Sequence, residues 1–397
     1  MEKVIQILNK ILKNIYFYSW SIAFLPIYYL IYLIPKKTNL WIIGDRLGEK
    51  YSDNSKALYE YIICYHKEIN IIWLTNNRIV YNYLKKKKFP VSYANSLKGI
   101  WYSSRADKAF YSVVPKDINT YFSVKAKYVN LTHGSALKKA GYADKRNRPS
   151  VKNIITYKLF PFHNMYKVDY YISPASFFEK YWHEESNNYK CKVLNLGYPR
   201  NDIFCSIHNE NELIASIRKR FPNSIIAFYL PTFRGNADSF KPFESFGFNI
   251  EECKKCLEEN NIVLLIKAHP GQKTGLLDYG TEYIIEIKEN PIVNVNEILA
   301  DADILINDYS SCYFDFLLAR KPIILAPFDY NEYLSFSRDL FIDYFKEIEG
   351  IIAYNWHDLF KILYNKNYFT PSVEVMLKYN EYFDNKSSER IVNKMKL

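Results

Sequence analysis

The chain has 397 residues, of which 49% are apolar, and it carries a formal net charge of +11. A chain of this length usually forms two domains, and its apolar fraction is large enough for real hydrophobic cores, which argues against a disordered chain. The basic balance admits three kinds of partner: nucleic acid, an anionic membrane surface, or phosphorylated substrates.

Nucleic acid is the weakest of these three, because the basic residues are dispersed and no aromatic–basic stacking motif stands out. The only dense basic run, residues 85–88, follows a predicted helix and is either a solvated helix end or a contact with anionic lipid. Cys253 and Cys256 form a lone C-x-x-C on a predicted exposed helix, without the second ligand pair that zinc needs. We therefore expect reduced cysteines, no metal site and no cofactor.

The N-terminal segment has no charged residue between Lys13 and Lys36. This length can cross a bilayer core, but five tyrosines and one tryptophan give it an interfacial character, and Pro26 would kink a helix. No small-residue cleavage site follows, which argues against a removed signal peptide. We predict a membrane-associating segment within residues 1–38, either spanning, re-entrant or lying on the surface; the alternative is a buried helix of a soluble protein.

Downstream of residue 38, apolar runs with strand character alternate with helical patterns. In chain order, strands are predicted at 40–45, 69–75, 108–113, 128–134, 168–174, 192–199, 224–235, 262–271, 282–288, 302–308 and 321–328. Such alternation indicates parallel sheets of the βαβ kind, in two doubly wound halves with a seam near residues 200–222. Ligands of such sheets bind beyond the carboxyl ends of the strands.

Polar residues follow several of these strands. The strand 302–308 leads to Asp308, Tyr309, Ser310 and Ser311, and the two serines are predicted to cap a helix running through Leu318. Free N–H groups at a helix start, together with serine hydroxyls, can hold a phosphate. The alternative is an ordinary serine cap after a turn.

Two further strands of the second half end in the same way. Lys267 and His269 follow one of them, and Thr232 and Arg234 follow another. A histidine before a proline leaves its imidazole at the rim of the sheet, and arginine suits bidentate contact with phosphate. The alternatives are a capped core histidine and a surface arginine.

In the first half, His133 comes just past a strand and is followed by Gly134, Ser135, Lys138 and Lys139. A glycine lets the backbone pass close to a ligand. A histidine in such a turn is a candidate general base, because its unperturbed pKa lies near neutrality.

Several of these segments resemble conserved blocks of the CDP-glycerol glycerophosphotransferases, the teichoic acid primases and polymerases. "LTHGSALKKAGY" resembles W-H-G-T-P-L-K-x-x-G, "LNLGYPRND" resembles G-x-P-R-N-D, "YLPTFRG" resembles Y-x-P-T-W/F-R, and "IKAHP" resembles K-x-H-P. "ADILINDYSSCYFDFLLARKPII" resembles the A-D-x-L-I-T-D-Y-S-S block, and "YSDNSKALYEYI" is similar to the first block. The resemblance runs from about residue 40 to 330 in the correct order.

This resemblance implies an α/β fold of the GT-B type, with two Rossmann-like doubly wound domains facing a central cleft and an N-terminal membrane-associating helix. We expect that helical segment at 1–38, an acceptor domain at 39–205, a CDP-donor domain at 206–352, and C-terminal helices at 353–397 that pack back on the first domain. The expected location is the cytoplasmic side of the cell membrane, by peripheral, monotopic or single-span attachment.

The resemblance also implies a reaction: transfer of glycerol phosphate, or a related polyol phosphate, from CDP-glycerol or CDP-ribitol to a hydroxyl of a lipid-linked acceptor, with release of CMP. His133 corresponds to the general base and His269 to the histidine that handles the pyrophosphate. The residues expected to bind substrate are Gly134, Arg200, Asn201, Asp202, Thr232, Arg234, Lys267, Asp308, Tyr309, Ser310 and Ser311. Thr132, Ser135, Ala136 and Asn307 depart from the family blocks.

Two other functions compete with this one. A GT-B glycosyltransferase of surface polysaccharide synthesis would move a sugar from a nucleotide sugar, and the nucleotide that it releases would distinguish it. A membrane-surface binding protein without activity would function unchanged after the substitution His133→Ala.

Overall fold

The computed structural model describes residues 2–146, 148–232, 234, 242–267 and 281–397. Their strands form two sheets. The first contains β1 (Lys37–Ile43), β2 (Asn70–Thr75), β3 (Val91–Tyr93), β4 (Ala106–Tyr111), β5 (Lys127–Asn130), β6 (Tyr170–Ser173) and β7 (Lys192–Asn195). The second contains β8 (Ile225–Leu230), β9 (Ile262–Ile266), β10 (Ile284–Glu286), β11 (Ile304–Asn307), β12 (Ile323–Leu325) and β13 (Ile351–Ile352).

Fifteen α-helices are found in the described part of the chain. They are α1 (Glu2–Leu30), α2 (Asp53–Tyr65), α3 (Arg78–Lys86), α4 (Leu97–Arg105), α5 (Val151–Leu159), α6 (Glu179–Ser186), α7 (Glu212–Arg220), α8 (Ile250–Glu259), α9 (Val295–Asp301), α10 (Cys312–Phe316), α11 (Tyr330–Phe336), α12 (Tyr344–Glu347), α13 (Trp356–Tyr364), α14 (Val373–Tyr379) and α15 (Ser387–Lys396).

The strand orders are β3-β2-β1-β4-β5-β6-β7 and β10-β9-β8-β11-β12-β13. The pairs from β3 to β5 are parallel, and so is every pair of the second sheet. α-Helices lie between most successive strands of the described chain, whereas β4 and β5 are joined by a segment whose only helical element is the 3₁₀ turn Pro115–Asp117. The predicted α/β fold with two parallel sheets is confirmed.

The described residues form two compact units by their mutual contacts. The first unit comprises residues up to Lys50, Tyr59–Asn130 and Pro149–Tyr170, and the second comprises Tyr51–Leu58, Leu131–Arg148 and Tyr171–Leu397. The boundaries that the sequence suggested after residues 38, 205 and 352 stay predictions.

In the first unit, helix α1 packs on the globular part through one face. Ser21, Phe24 and Tyr28 of α1 and Ile31 just after it are buried and recur at helical spacing, whereas most of the remaining apolar side chains of α1 are exposed. One described stretch, Ile11–Leu33, has the length and composition to cross a membrane, and about a fifth of its most apolar part is buried. The segment is thus one continuous helix up to Leu30 and not a re-entrant hairpin.

In the second unit, an apolar core lies between the sheet and helices α8 and α13, around the buried Trp356. Cys253 and Cys256 belong to this core and are 0% and 2% exposed. The expectation of an exposed C-x-x-C helix is therefore wrong: α8 has a charged outer face, but both cysteines lie on its inner face, and burial raises the pKa of both thiols.

Candidate active site

Polar residues of the second unit meet at the carboxyl edge of its sheet. Thr232 and Arg234 follow β8, Lys267 follows β9, Asp308 follows β11 and Asp329 follows β12. Because these four strands are parallel neighbours, the residues that follow them lie along one edge. This is the edge at which the sequence predicted ligand contacts.

The first group on this edge is the Asp308 cluster, defined as Thr232, Arg234, Asp308, Tyr309 and Asp329. Asp308 is fully buried and accepts hydrogen bonds from the Thr232 amide (2.8 Å), the Thr232 hydroxyl (2.6 Å), the Tyr309 amide (2.6 Å) and the Arg234 guanidinium (2.8 Å). Its two oxygens therefore tie the ends of β8 and β11 together. Asp308 thus orients these loops.

Arg234 is held between two carboxylates and two aromatic rings. Its Nε and one terminal nitrogen donate to the two oxygens of Asp329, both at 2.8 Å, and the guanidinium carbon lies 5.0 Å from the ring centres of Tyr309 and Tyr333. Burial opposes the charge, but Asp308 and Asp329 outweigh burial and raise the pKa of Arg234. In this arrangement Arg234 supports the loops by binding protein carboxylates.

A cavity of about 440 Å³ opens beside Asp329, beyond the end of β12. Aromatic side chains form much of its wall, with the Asn331 amide and two carboxylates at its margin. The aromatic lining residues are Phe328, Tyr330, Phe345 and Tyr354. Flat apolar walls with a few polar groups are typical of small-molecule sites.

Another group of polar residues is the His133 cluster, defined as Asp53, Asn54, His133, Arg200 and Asp315. The His133 side chain is 49% exposed, and its Nδ1 is hydrogen-bonded to Asp53, which is 6% exposed. Arg200 donates to Asp53 (2.6 Å), to the His133 carbonyl (2.7 Å) and to Asp315 (2.7 Å). A solvent-accessible imidazole is thus backed by a buried carboxylate, which is in turn held by a buried guanidinium.

The protonation of Arg200 is secured by its neighbours. Burial alone would lower the pKa of this guanidinium, but the carboxylates of Asp315 and Asp53 raise it above its ordinary value. A charge-assisted hydrogen bond of this kind is about twice as strong as a neutral one. The cation therefore keeps Asp53 in place beneath His133.

The backbone around His133 is constrained. Thr132 has a φ of 59° and Asp53 a φ of 62°, both in the left-handed region that L-residues rarely occupy. The Asn54 side-chain amide donates to the carbonyls of Leu131 and Thr132, both at 3.0 Å, and so stabilises this turn. Such conformations persist where the surroundings enforce them, and they concentrate at functional sites.

The turn after His133 lies directly against the start of α10. A Cβ atom added to Gly134 would stand 2.3 Å from Ser311 Oγ and 3.4 Å from an Arg200 nitrogen. Only glycine permits this approach, which brings His133 and the serine pair into one neighbourhood.

The serine pair differs from the predicted helix cap. α10 has five residues and continues as a 3₁₀ turn at Leu317–Ala319, and the Ser311 side chain makes no capping bond. Ser310 Oγ accepts only a long bond from the Cys312 amide, 3.4 Å. Both serines are half-buried, so their hydroxyls remain available to a ligand.

Lys138 lies beside the Asp308 cluster. Its segment runs antiparallel to residues 339–341, with the Lys139 amide donating to the Asp339 carbonyl at 2.8 Å. Burial and the guanidiniums of Arg338 and Arg234 lower the pKa of Lys138 to about 8, against the attraction of Asp308. The Lys138 ammonium makes no hydrogen bond or ion pair with any residue that the structure describes.

The other predicted substrate-binding residues that the structure describes include Asn201, Asp202 and Lys267, which have different partners. Asn201 is buried next to Asp315, whereas Asp202 accepts hydrogen bonds from Ser387 and Ser388 at the start of α15 and so holds the C-terminal helix. Lys267 pairs with Glu289 at 2.7 Å. The predicted catalytic histidine His269 lies outside the described residues.

Sequence reasoning assigned no site role to Asp53, Asp329 or Lys138. Asp53 is the first residue of α2, and it could have been recognised as a third group that orients a base. Nothing local marked Asp329, whose partner Arg234 is 95 residues away.

The chain is similar to transferases and polymerases of teichoic acid synthesis. The chain is 26% identical over 328 residues to the teichoic acid glycerol-phosphate transferase of Staphylococcus aureus, covering 81% of this chain and 82% of that one. It is 29% identical over 209 residues to the teichoic acid ribitol-phosphate polymerase TarL of the same organism, covering 51% of this chain and 37% of the relative.

A solved structure shares the fold. The wall teichoic acid polymerase TagF superposes with a TM-score of 0.71 over 91% of this chain and 89% of that chain, at 22% identity. The model of the family CDP-Glycerol:Poly(glycerophosphate) glycerophosphotransferase matches residues 27–397. The chain belongs to the CDP-glycerol:poly(glycerophosphate) glycerophosphotransferase family.

Proposed function

We propose that the protein transfers glycerol phosphate from CDP-glycerol to a hydroxyl of a lipid-linked acceptor and releases CMP. The observation that carries this proposal is the accessible His133 imidazole, backed by the buried Asp53 and set against Ser311. The family assignment and the glycerol-phosphate transferase of S. aureus support the same donor. The similarity to a ribitol-phosphate polymerase makes CDP-ribitol the second donor to test.

In the proposed mechanism, His133 acts as the general base. Its Nδ1–H donates to Asp53, which leaves the lone pair of Nε2 for the acceptor hydroxyl. As Nε2 takes the proton, the acceptor oxygen attacks the β-phosphorus that carries the glycerol. The bond from that phosphorus to the bridging oxygen breaks, and CMP leaves. Asp53 stabilises the imidazolium that forms.

The donor pyrophosphate would bind beside the serine pair. Ser310 and Ser311 offer hydroxyl donors, and the Lys138 ammonium offers a positive charge without a protein partner among the described residues. Phosphoryl transfer depends mainly on positioning and on charge stabilisation at the equatorial and bridging oxygens. Arg234 and Asp308 would hold these donors in place from below, and His269 remains a predicted contact of the pyrophosphate.

The cytosine ring would occupy the aromatic cavity beside Asp329. The cavity and the serine pair follow neighbouring parallel strands, β12 and β11, so a nucleotide could reach both. Tyr330 and Phe345 offer ring faces for stacking, and the Asn331 amide can donate to and accept from the pyrimidine edge. The size of the cavity suits a nucleoside.

We further propose that the protein works at the cytoplasmic face of the cell membrane. Helix α1 is long and apolar enough to enter a bilayer, and it packs on the first unit through Phe24, Tyr28 and Ile31. That packing favours a helix lying in the membrane surface, because a span would have lipid around it. A lipid-linked acceptor would then be presented from the same membrane.

The test is a product analysis. Purified protein is incubated with CDP-glycerol or CDP-ribitol and acceptor-bearing membranes, and CMP and lengthened lipid product are measured. We expect CMP release with one of the two donors, and a loss of about 10²–10⁴ in kcat for His133→Ala with donor binding retained. Release of a nucleoside diphosphate from a nucleotide sugar, or normal turnover by His133→Ala, would overturn the proposal.

A further inference from the structure

A second cavity, of about 300 Å³, lies in the first unit between α1 and α5, among residues not used by the proposed reaction. Asn14, Phe17 and Tyr18 of α1 form one wall, and α5 forms the other with residues from Lys152 to Tyr157. Lys116, His163 and Met165 complete the lining. The cavity is thus built on the helix that carries the candidate membrane segment.

The charged side chains that line this cavity are all positive. Two lysines, Lys116 and Lys152, line it, and none of the described residues in its lining is acidic. Lys152 donates to Asn14 at 3.3 Å and lies 5.6 Å from the ring centre of Tyr18, and Lys116 makes no hydrogen bond or ion pair with any described residue. The nearby Asp117 accepts bonds from the Val113 and Leu47 amides and is buried, so it is directed inward.

Side-chain contacts join the walls of the cavity. His163 Nε2 is hydrogen-bonded to Ser21 Oγ at 2.9 Å, and its ring stacks on Phe17 with centres 4.5 Å apart. The Tyr18 hydroxyl lies 3.2 Å from Thr156 Oγ1 and joins α1 to α5. Burial and Lys116 lower the pKa of His163 to about 4, so the imidazole is neutral near pH 7 and the lysines supply the positive charge.

Exposed apolar side chains also lie on the two helices that form the cavity. Val151, Ile155 and Leu159 form a stripe at a spacing of four residues on α5, and they are 73%, 52% and 59% exposed. On α1, Ile15 and Ile22 are 57% and 61% exposed. A cationic cavity between two helices that also expose apolar side chains fits a molecule with an apolar tail and an anionic head, located at a bilayer surface.

We propose that this cavity binds the phosphate of an anionic membrane lipid, with Lys116 and Lys152 as its cationic contacts and α1 and α5 facing the lipid chains. The phosphate could belong to a bilayer phospholipid or to a prenyl phosphate, because the two share the same head-group chemistry. The inference concerns a site separate from the His133 and Asp308 clusters and does not depend on the transfer reaction.

The experiment is a calorimetric titration of the full chain in mild detergent with three short-chain probes. Dihexanoylphosphatidylglycerol represents the phospholipid, farnesyl phosphate the prenyl phosphate, and dihexanoylphosphatidylcholine the lipid without net charge. We expect saturable binding at one site per chain for at least one anionic probe, at least tenfold tighter than for the neutral lipid. The probe that binds better identifies the source of the phosphate.

The double variant Lys116→Gln/Lys152→Gln should weaken that binding at least tenfold, since a lysine near an anionic lipid surface contributes about fivefold. The matched control is Lys85→Gln/Lys86→Gln, which removes the same charge from α3 of the same unit and should change binding less than twofold. Met165→Trp fills the cavity without altering its charge and should also abolish binding.

Three results would overturn the proposal: no saturable binding of either anionic probe, an equal loss in the α3 control, or unchanged binding by Met165→Trp. Since the lysine side chains are exposed, their replacement leaves the core intact. Circular dichroism would verify folding of the Met165→Trp protein.

Discussion

The substitution Asp53→Asn tests the proposed base directly. Asp53 contacts the His133 Nδ1 and, at 2.6 Å, the Arg200 guanidinium, and its side chain is 6% exposed. An asparagine is nearly isosteric, but its amide can turn an N–H toward Nδ1. The ring would then hold its own proton on Nε2, where a base needs a lone pair.

The expected loss is large. In the serine protease triad, a substitution that leaves the imidazole in place but in the wrong tautomer lowers kcat by up to about 10⁴-fold. The same reasoning applies to His133. We expect about 10²–10⁴ here, equivalent to about 3–5 kcal/mol of transition-state stabilisation. Stability should fall by less, about 1–3 kcal/mol, because Arg200 keeps Asp315 and the His133 carbonyl as partners.

The matched control is Asp315→Asn. It removes the other carboxylate partner of Arg200, bonded at 2.7 Å, without touching the His133 ring. The two variants should unfold at similar denaturant concentrations, but Asp315→Asn should keep kcat within about tenfold of wild type. CMP release at saturating donor measures kcat, and urea unfolding measures stability. Equal losses of kcat in both variants would refute the orienting role of Asp53.

Three further predictions concern other parts of the molecule. Lys138→Met should raise the KM for the donor by about 10–100-fold. In the wild type this KM should rise above pH 8, where the Lys138 ammonium deprotonates, and Lys138→Arg should shift that rise to higher pH. Gly134→Ala should lower stability by about 1–3 kcal/mol and reduce kcat, and the added change Ser311→Ala should recover part of the stability, because it removes the oxygen 2.3 Å from the new methyl group. Lowering the pH from 6.5 to about 4 should destabilise the wild type by up to about 3 kcal/mol, because His163 binds a proton in the unfolded chain but not in the folded one. In denaturant titrations the His163→Gln variant should lack this pH-dependent loss of stability. The same pH slope in the variant as in the wild type would contradict the prediction.

Much of the architecture could be predicted from local patterns. Short apolar runs separated by helical periods indicated parallel sheets, because a strand buried on both faces needs continuous apolar residues and a parallel pair needs a crossover. The same patterns put His133 and Asp308 immediately after strands, where the chain must leave the sheet. The ordered motifs then identified the family.

Residue patterns alone determined the fold class, the apolar N-terminal helix and the histidine and serine positions at strand ends. The tertiary structure alone decided which groups meet: Asp53 reaches His133 across 80 residues of chain, and Arg200 joins Asp53 and Asp315 from 147 and 115 residues away. It also buried Cys253 and Cys256 and bound Arg234 to two carboxylates. The physical reason is that the spacing of apolar residues indicates which face of a helix or strand is buried. The ion pairs form only when segments distant in the chain pack together and exclude water.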